Sequence, residues 1–157
     1  MADETLMILA RDVRGKTLRI LEGVTEEQSR YVPPGLNNHI LWHAGHALVV
    51  VEHLSVSPAT GNAPSYPADW FDKFSWKSQP AMVQAWPKLK EVTARLVEQF
   101  ELLKAAIGSL SEQQLAQPVG DPSKGRNLRW SMVHGLHDEA NHQGEMWLLK
   151  KLQSKGA

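Results

Sequence analysis

Apolar residues recur at three- and four-residue spacing along most of this chain, the period of helices that bury one face. From Asp3 to about Gly23, Leu6, Ile8, Leu9, Val13, Leu18, Ile20 and Leu21 stand among arginines and glutamates and predict a first helix. Gly23 stops it. Thr25-Glu26-Glu27-Gln28 then predicts a short capped turn, because the Thr25 hydroxyl can accept from first-turn amides while Gln28 reaches back. Beyond Pro33-Pro34-Gly35, Asn37 or Asn38 is placed to cap a second helix running to about Leu54. A third has Pro87 in its first turn and carries Leu89, Val92, Leu96, Phe100, Leu103 and Ile107, the clearest amphipathic pattern in the chain. The proline-free stretch Trp130 to Leu149 predicts a fourth.

Between the second and third helices, Ser55 to Pro80 is rich in proline yet carries Trp70, Phe71, Phe74 and Trp76. Four large aromatics do not suit a solvated linker, so this long crossover is expected to wrap over the helices and wall one side of a pocket. The chain also repeats itself. Gly23, the Thr25 turn, Trp42 and His46 are echoed by Gly108, the Ser111 turn, Trp130 and His134, each half ending in a helix that opens with Trp-x-x-x-His. Two helix pairs related by a rough pseudo-twofold predict an all-α fold, a four-helix bundle forming one domain over residues 1–157.

Composition narrows the function. Lys plus Arg and Asp plus Glu each number 17, which argues against nucleic acid as a partner. With no cysteine, any metal must sit on imidazole, carboxylate and water. The N-terminus lacks a basic-then-apolar signal pattern and no apolar run approaches the ~20 residues of a membrane span, so a cytoplasmic protein with no membrane partner is expected.

The fourth helix concentrates the candidate chemistry. At about 100° per residue, His134, Asp138, His142 and Glu145 share a stripe roughly 80° wide, with Met132, Val133, Leu136, Met146 and Trp147 opposite. His137 and His142 diverge by about 140° and are poorly placed to share an ion. Asp138 and His142, one turn apart, can hold half of a metal site. Partners are expected from the second helix, where His39, His43 and His46 share a face.

Leu41-Trp42-His43-Ala44-Gly45-His46 and His137 to Glu145 resemble the two signature stretches of the DinB-like superfamily, including its YfiT-type members. The likeness extends to the crossover and to the Trp86-Pro87 entry of the third helix. It implies a four-helix bundle holding one divalent metal, usually on three histidines: one from the second helix and two at H-x-x-x-H spacing on the fourth. Carried over, the ligands are His46, His142 and, where a histidine usually stands, Asp138. Zn or Ni is expected first on such a set, then Mn or Fe. Relatives include transferases and isomerases that use bacillithiol, mycothiol or glutathione, and a domain of the sulfoxide synthases of ergothioneine assembly. The implied activity is metal-dependent activation of a low-molecular-weight thiol or water toward a small electrophilic substrate.

Other residues take supporting roles in this reading. Glu145, on the ligand stripe, is a candidate general base, and His134 a candidate to orient Asp138 or a bound water. His39, His43 and His53 are read as surface or supporting histidines, Glu139 as solvated, and the tryptophans as core and interface residues. The competing reading is non-catalytic: the metal, or a histidine–aspartate polar cluster without it, only stabilises a small dimerising, stress-related binding protein.

Overall fold

The computed structural model describes residues 3–154, so the outermost residues of the expected 1–157 domain, 1–2 and 155–157, lie outside the described residues. Helix α1 (Glu4–Leu21) starts where Asp3 accepts from the Leu6 amide at 2.9 Å. The capped turns α2 (Glu26–Ser29) and α7 (Glu112–Leu115) have matching reciprocal bonds, Thr25 with Gln28 and Ser111 with Gln114. Helix α3 (Ile40–Val51) is capped by His39, whose Nδ1 accepts from the Trp42 amide at 2.9 Å, and not by Asn37 or Asn38. It also runs past Leu54, through a π-helical turn (Glu52–Val56) into α4 (Ser57–Thr60). Pro58 offers no amide to the Leu54 carbonyl four residues back, and Ser131 Oγ donates to it from another helix at 2.7 Å. The crossover contains α5 (Asp69–Phe74), and the long helices α6 (Leu89–Ser109) and α8 (Leu128–Ser154) complete the chain. Among the described residues the fold is all helical, apart from one isolated bridge between Pro118 and Asn127.

The four long helices pack in a ring, α1 against α8, α8 against α3, α3 against α6 and α6 against α1. Their core divides in two. Ile20, Ile40, Leu48, Leu96 and Met146 belong to one apolar cluster, and Leu6, Val13, Leu103, Ile107 and Leu136 to the other. Between them runs a buried polar layer: Arg14 and Thr17 of α1, Gln99 of α6, Glu139 and Gln143 of α8, and Glu52 of the π turn. Arg14 donates to both Glu139 oxygens at 2.9 and 3.0 Å, to the Leu96 carbonyl and to Gln99 Oε1. Gln99 in turn donates to Glu52 at 2.6 Å.

That layer corrects the expected solvation of Glu139, which is fully buried. The apolar face of α8 is corrected too. Met132, Leu136 and Met146 are buried, but Val133 and Trp147 are 40% and 50% exposed, because α8 leans on both α1 and α3 and turns these two residues away from them.

Candidate metal centre

His46 on α3 and Asp138 and His142 on α8 converge. His46 Nε2 lies 3.4 Å and His142 Nε2 3.6 Å from the same oxygen, Asp138 Oδ2. Donors held at 2.0–2.2 Å around one tetrahedral ion are about 3.3–3.6 Å apart, so these separations match a shared cation. Asp138 Oδ2 is buried and has no hydrogen-bond partner among the described residues. A buried carboxylate oxygen without a donor is costly unless a cation or proton sits against it.

The outer nitrogens of both imidazoles are already engaged, which assigns their tautomers. His46 Nδ1 donates to the Phe74 carbonyl at 2.6 Å, so its Nε2 presents a lone pair to the centre. For His142 the assignment comes through His43. Glu145 Oε2, an acceptor, lies 3.1 Å from His43 Nε2, placing the proton there. His43 Nδ1 therefore accepts from His142 Nδ1, 2.8 Å away, and the lone pair of His142 is left on Nε2, facing Asp138. Two imidazole lone pairs and a carboxylate oxygen thus point at one another, an arrangement in need of positive charge.

Burial and neighbouring charge keep these groups in ligating form. Burial, aided by the charges of His142, His46 and His39, pushes His43 down to about 3. His142 is lowered mainly by burial and then by His46, more than Asp138 and Glu139 offset. Burial works to raise the Asp138 carboxyl, but positive charge brought beside it, a proton on His46 first and then charge on His142 and His134, outweighs burial and holds it below its ordinary value, the same response a bound cation would draw.

Trp42 of α3 and Phe74 of the crossover supply the walls. The Trp42 ring stacks on His46 at 4.6 Å, and its Nε1 donates to Ser78 Oγ at 2.9 Å. Phe74 is fully buried against Gly45, where an added Cβ would come within 2.3 Å of the ring. The glycine between His43 and His46 therefore lets the crossover close enough to reach His46. Of the tryptophans, Trp42 and Trp70 are core residues, whereas Trp76, Trp130 and Trp147 are substantially exposed.

His134 stands one turn before Asp138, stacked on Trp130 at 4.7 Å, the same pairing as Trp42 with His46 in the other half of the chain. Glu145 reaches His43 rather than the three donors themselves, and is largely exposed. His43, Glu145 and His142 form a second group of donors close enough to share an ion. His39 and His53 lie apart, against Trp86 and Trp76. Two contributors had little sequence signal: the Phe74 carbonyl, which any residue could supply, and the lateral His43–His142 bond, which only helix pairing creates.

A family model described as the DinB superfamily matches residues 9–146. The crystal structure of a conserved protein from Enterococcus faecalis is similar in fold, with a TM-score of 0.72 over 97% of each chain at 16% identity. No curated protein matches the chain.

Proposed function

The chain belongs to the DinB superfamily, and from that footing we propose that it is a divalent-metal-dependent enzyme whose ion is held by His46, Asp138 and His142. The observation that carries this reading is the buried Asp138 Oδ2, without a donor and facing two imidazole nitrogens at 3.4 and 3.6 Å. Imidazole and carboxylate suit Zn or Ni first, and Mn or Fe after them. Bound there, such an ion supplies a Lewis acid that lowers the pKa of water or of a thiol, so that a low-molecular-weight thiol cosubstrate or water can attack a small electrophile.

The residues around the donors prepare that chemistry. Phe74 and His43 hold the His46 and His142 rings with Nε2 inward. Trp42 excludes water from one side of His46, while Asp138, 31% exposed, faces the open side where substrate would enter. Glu145, accepting from His43 at the outer end of the chain of rings, and His134, one turn from Asp138, are the proposed proton-handling groups. In the same reading the enzyme works in the cytoplasm as a homodimer, a role for which the exposed Trp147, Leu148 and Leu152 of α8 offer apolar surface. For the membrane question, no helix among the described residues is long and apolar enough to cross a bilayer.

The test is elemental analysis of protein purified without a chelating tag, with Zn and Ni titrations of Asp138→Asn, Asp138→His and Asp138→Ala. Asp138→His should retain or strengthen binding, Asp138→Asn should weaken it, and Asp138→Ala should be weakest. A protein with no metal and no affinity for either ion would support the non-catalytic alternative, a polar cluster in a binding protein.

A further inference from the structure

The antiparallel pairing of α3 and α8 extends well beyond the three donors. His43 meets His142 near one end of the contact, and the Leu54 carbonyl meets Ser131 near the other. On α8 the donor line continues from Asp138 back through His134 to Trp130, and on the α3 side His46 is followed by His53. Eight residues of helix separate Asp138 from Trp130, about 12 Å. At that distance lies a cavity of about 450 Å³, lined among others by His53, Leu54, Lys124, Arg126 and Trp130. Its size falls within the range of small-molecule sites.

The cavity is lined by two cations, Lys124 and Arg126, against one carboxylate, Asp121. The Arg126 guanidinium lies 4.2 Å over the Trp130 ring, which holds it at the cavity wall. The cavity's carboxylate, Asp121, accepts from Ser123 N at 3.0 Å and Ser123 Oγ at 2.8 Å, capping its own turn, and also feels the Arg126 charge, which leaves a net positive charge on the lining. Arg129, by contrast, is saturated by Asp3 and Glu112 outside the cavity. Lys124 and Arg126 make no ion pair within 4 Å among the described residues. Two cations, one braced on an aromatic face, thus border an apolar-walled hollow on the side of Asp138 from which His134 reaches back to Trp130.

We propose that this cavity is an anion-binding subsite, in which Arg126 and Lys124 hold a carboxylate or phosphate of the substrate or cosubstrate while an apolar or planar portion lies against Trp130. A ligand anchored there that spans about 12 Å would bring its other end to the donors. The preferred ligand is therefore an extended small anion. The link to the donors rests on the metal reading above, whereas anion binding at the cavity does not.

The experiment uses chelator-treated protein labelled with 15N, with the Trp130 indole signal identified by its loss in Trp130→Phe. Benzoate, phenyl phosphate and neutral benzyl alcohol are the probes. At least one anion should shift the Trp130 signal saturably, and the tighter of the two distinguishes carboxylate from phosphate recognition. Arg126→Gln with Lys124→Gln should weaken it about tenfold or more, with Arg126→Lys largely retaining it and benzyl alcohol indifferent to all three changes. Benzyl alcohol binding as well as the anions, no anion shifting Trp130, or anion binding unchanged in the double variant would overturn the subsite. Adding Mn(II) then tests the link. Broadening of the bound probe's proton signals, abolished by Asp138→Ala, is expected, and a sharp bound probe beside a bound ion would overturn the connection. Failure of Mn(II), Zn and Ni alike to bind would sink the metal reading and leave the anion subsite standing.

Discussion

His39 couples the start of α3 to pH, and the size of the coupling follows from its surroundings. Its Nδ1 accepts from the Trp42 amide at 2.9 Å, and its ring meets Trp86 edge-on at 4.6 Å. Burial, with help from the charge of Arg30, lowers it from 6.5 to about 4. Protonation would put a hydrogen on the nitrogen that accepts the cap bond. Between pH 4 and 6.5 the unfolded chain therefore binds more protons at this residue than the folded one, so stability falls as pH falls through that window. With 6.5 unfolded and about 4 folded, the loss between pH 8 and pH 5 is about 2 kcal/mol. His39→Asn keeps a cap acceptor and removes the titration, while any lost packing on Trp86 costs the same at both pH values. Urea unfolding of chelator-treated wild type and His39→Asn at pH 8 and pH 5 measures the difference. The wild type should lose about 2 kcal/mol more than the variant, cancelling contributions from the other histidines. Equal losses in the two proteins would refute both the depressed pKa and the cap it protects.

Three further outcomes follow from the polar contacts. His43→Leu removes the acceptor that fixes His142 and should weaken Zn affinity by ~10–100-fold, whereas His43→Asn, whose side-chain oxygen can occupy the Nδ1 position, should restore most of it; calorimetric titration decides. Gly45→Ala places a methyl 2.3–2.5 Å from Phe74 ring atoms. Despite alanine's better helix propensity of about 1 kcal/mol, overpacking should destabilise the protein by about 1–3 kcal/mol net and lower metal affinity by displacing the Phe74 carbonyl from His46, as read by thermal unfolding and Zn titration. Arg14→Met strands the buried Glu139 and should cost about 3–5 kcal/mol in urea unfolding, part of it recovered in Arg14→Met/Glu139→Leu.

Local pattern was enough for the helical scaffold. The Thr25 and Ser111 turns, and much of the extent of α1 and α6, depend on near-neighbour rules: spacing of apolar residues, a hydroxyl three residues before a glutamine, a glycine at a stop. Helix boundaries were less legible where a side chain took an unusual role. Histidine is not among the favoured caps, yet His39 caps α3, and the π turn lies where Pro58 withholds an amide from the Leu54 carbonyl and Ser131 of α8 donates to it instead.

For the candidate site, helical spacing alone placed Asp138 and His142 one turn apart, and the resemblance of Leu41 to His46 to a family signature singled out His46. Their proximity to one another, the buried lone oxygen of Asp138 and the tautomers imposed by Phe74 and His43 exist only once α3, α8 and the crossover are packed together. The same is true of Glu139. Its sequence neighbours fit a solvated residue as well as a buried one, and the choice was made by Arg14, 125 residues away. Sequence by itself determined which residues share a helix face and that one face of α8 carries imidazole and carboxylate, because periodicity is a property of one helix, whereas the exposure of Val133 and Trp147 was set by where α1 and α3 lie. Tertiary structure decided which polar groups were stripped of water and what then compensated them, because desolvation and pairing depend on the other helices of the ring.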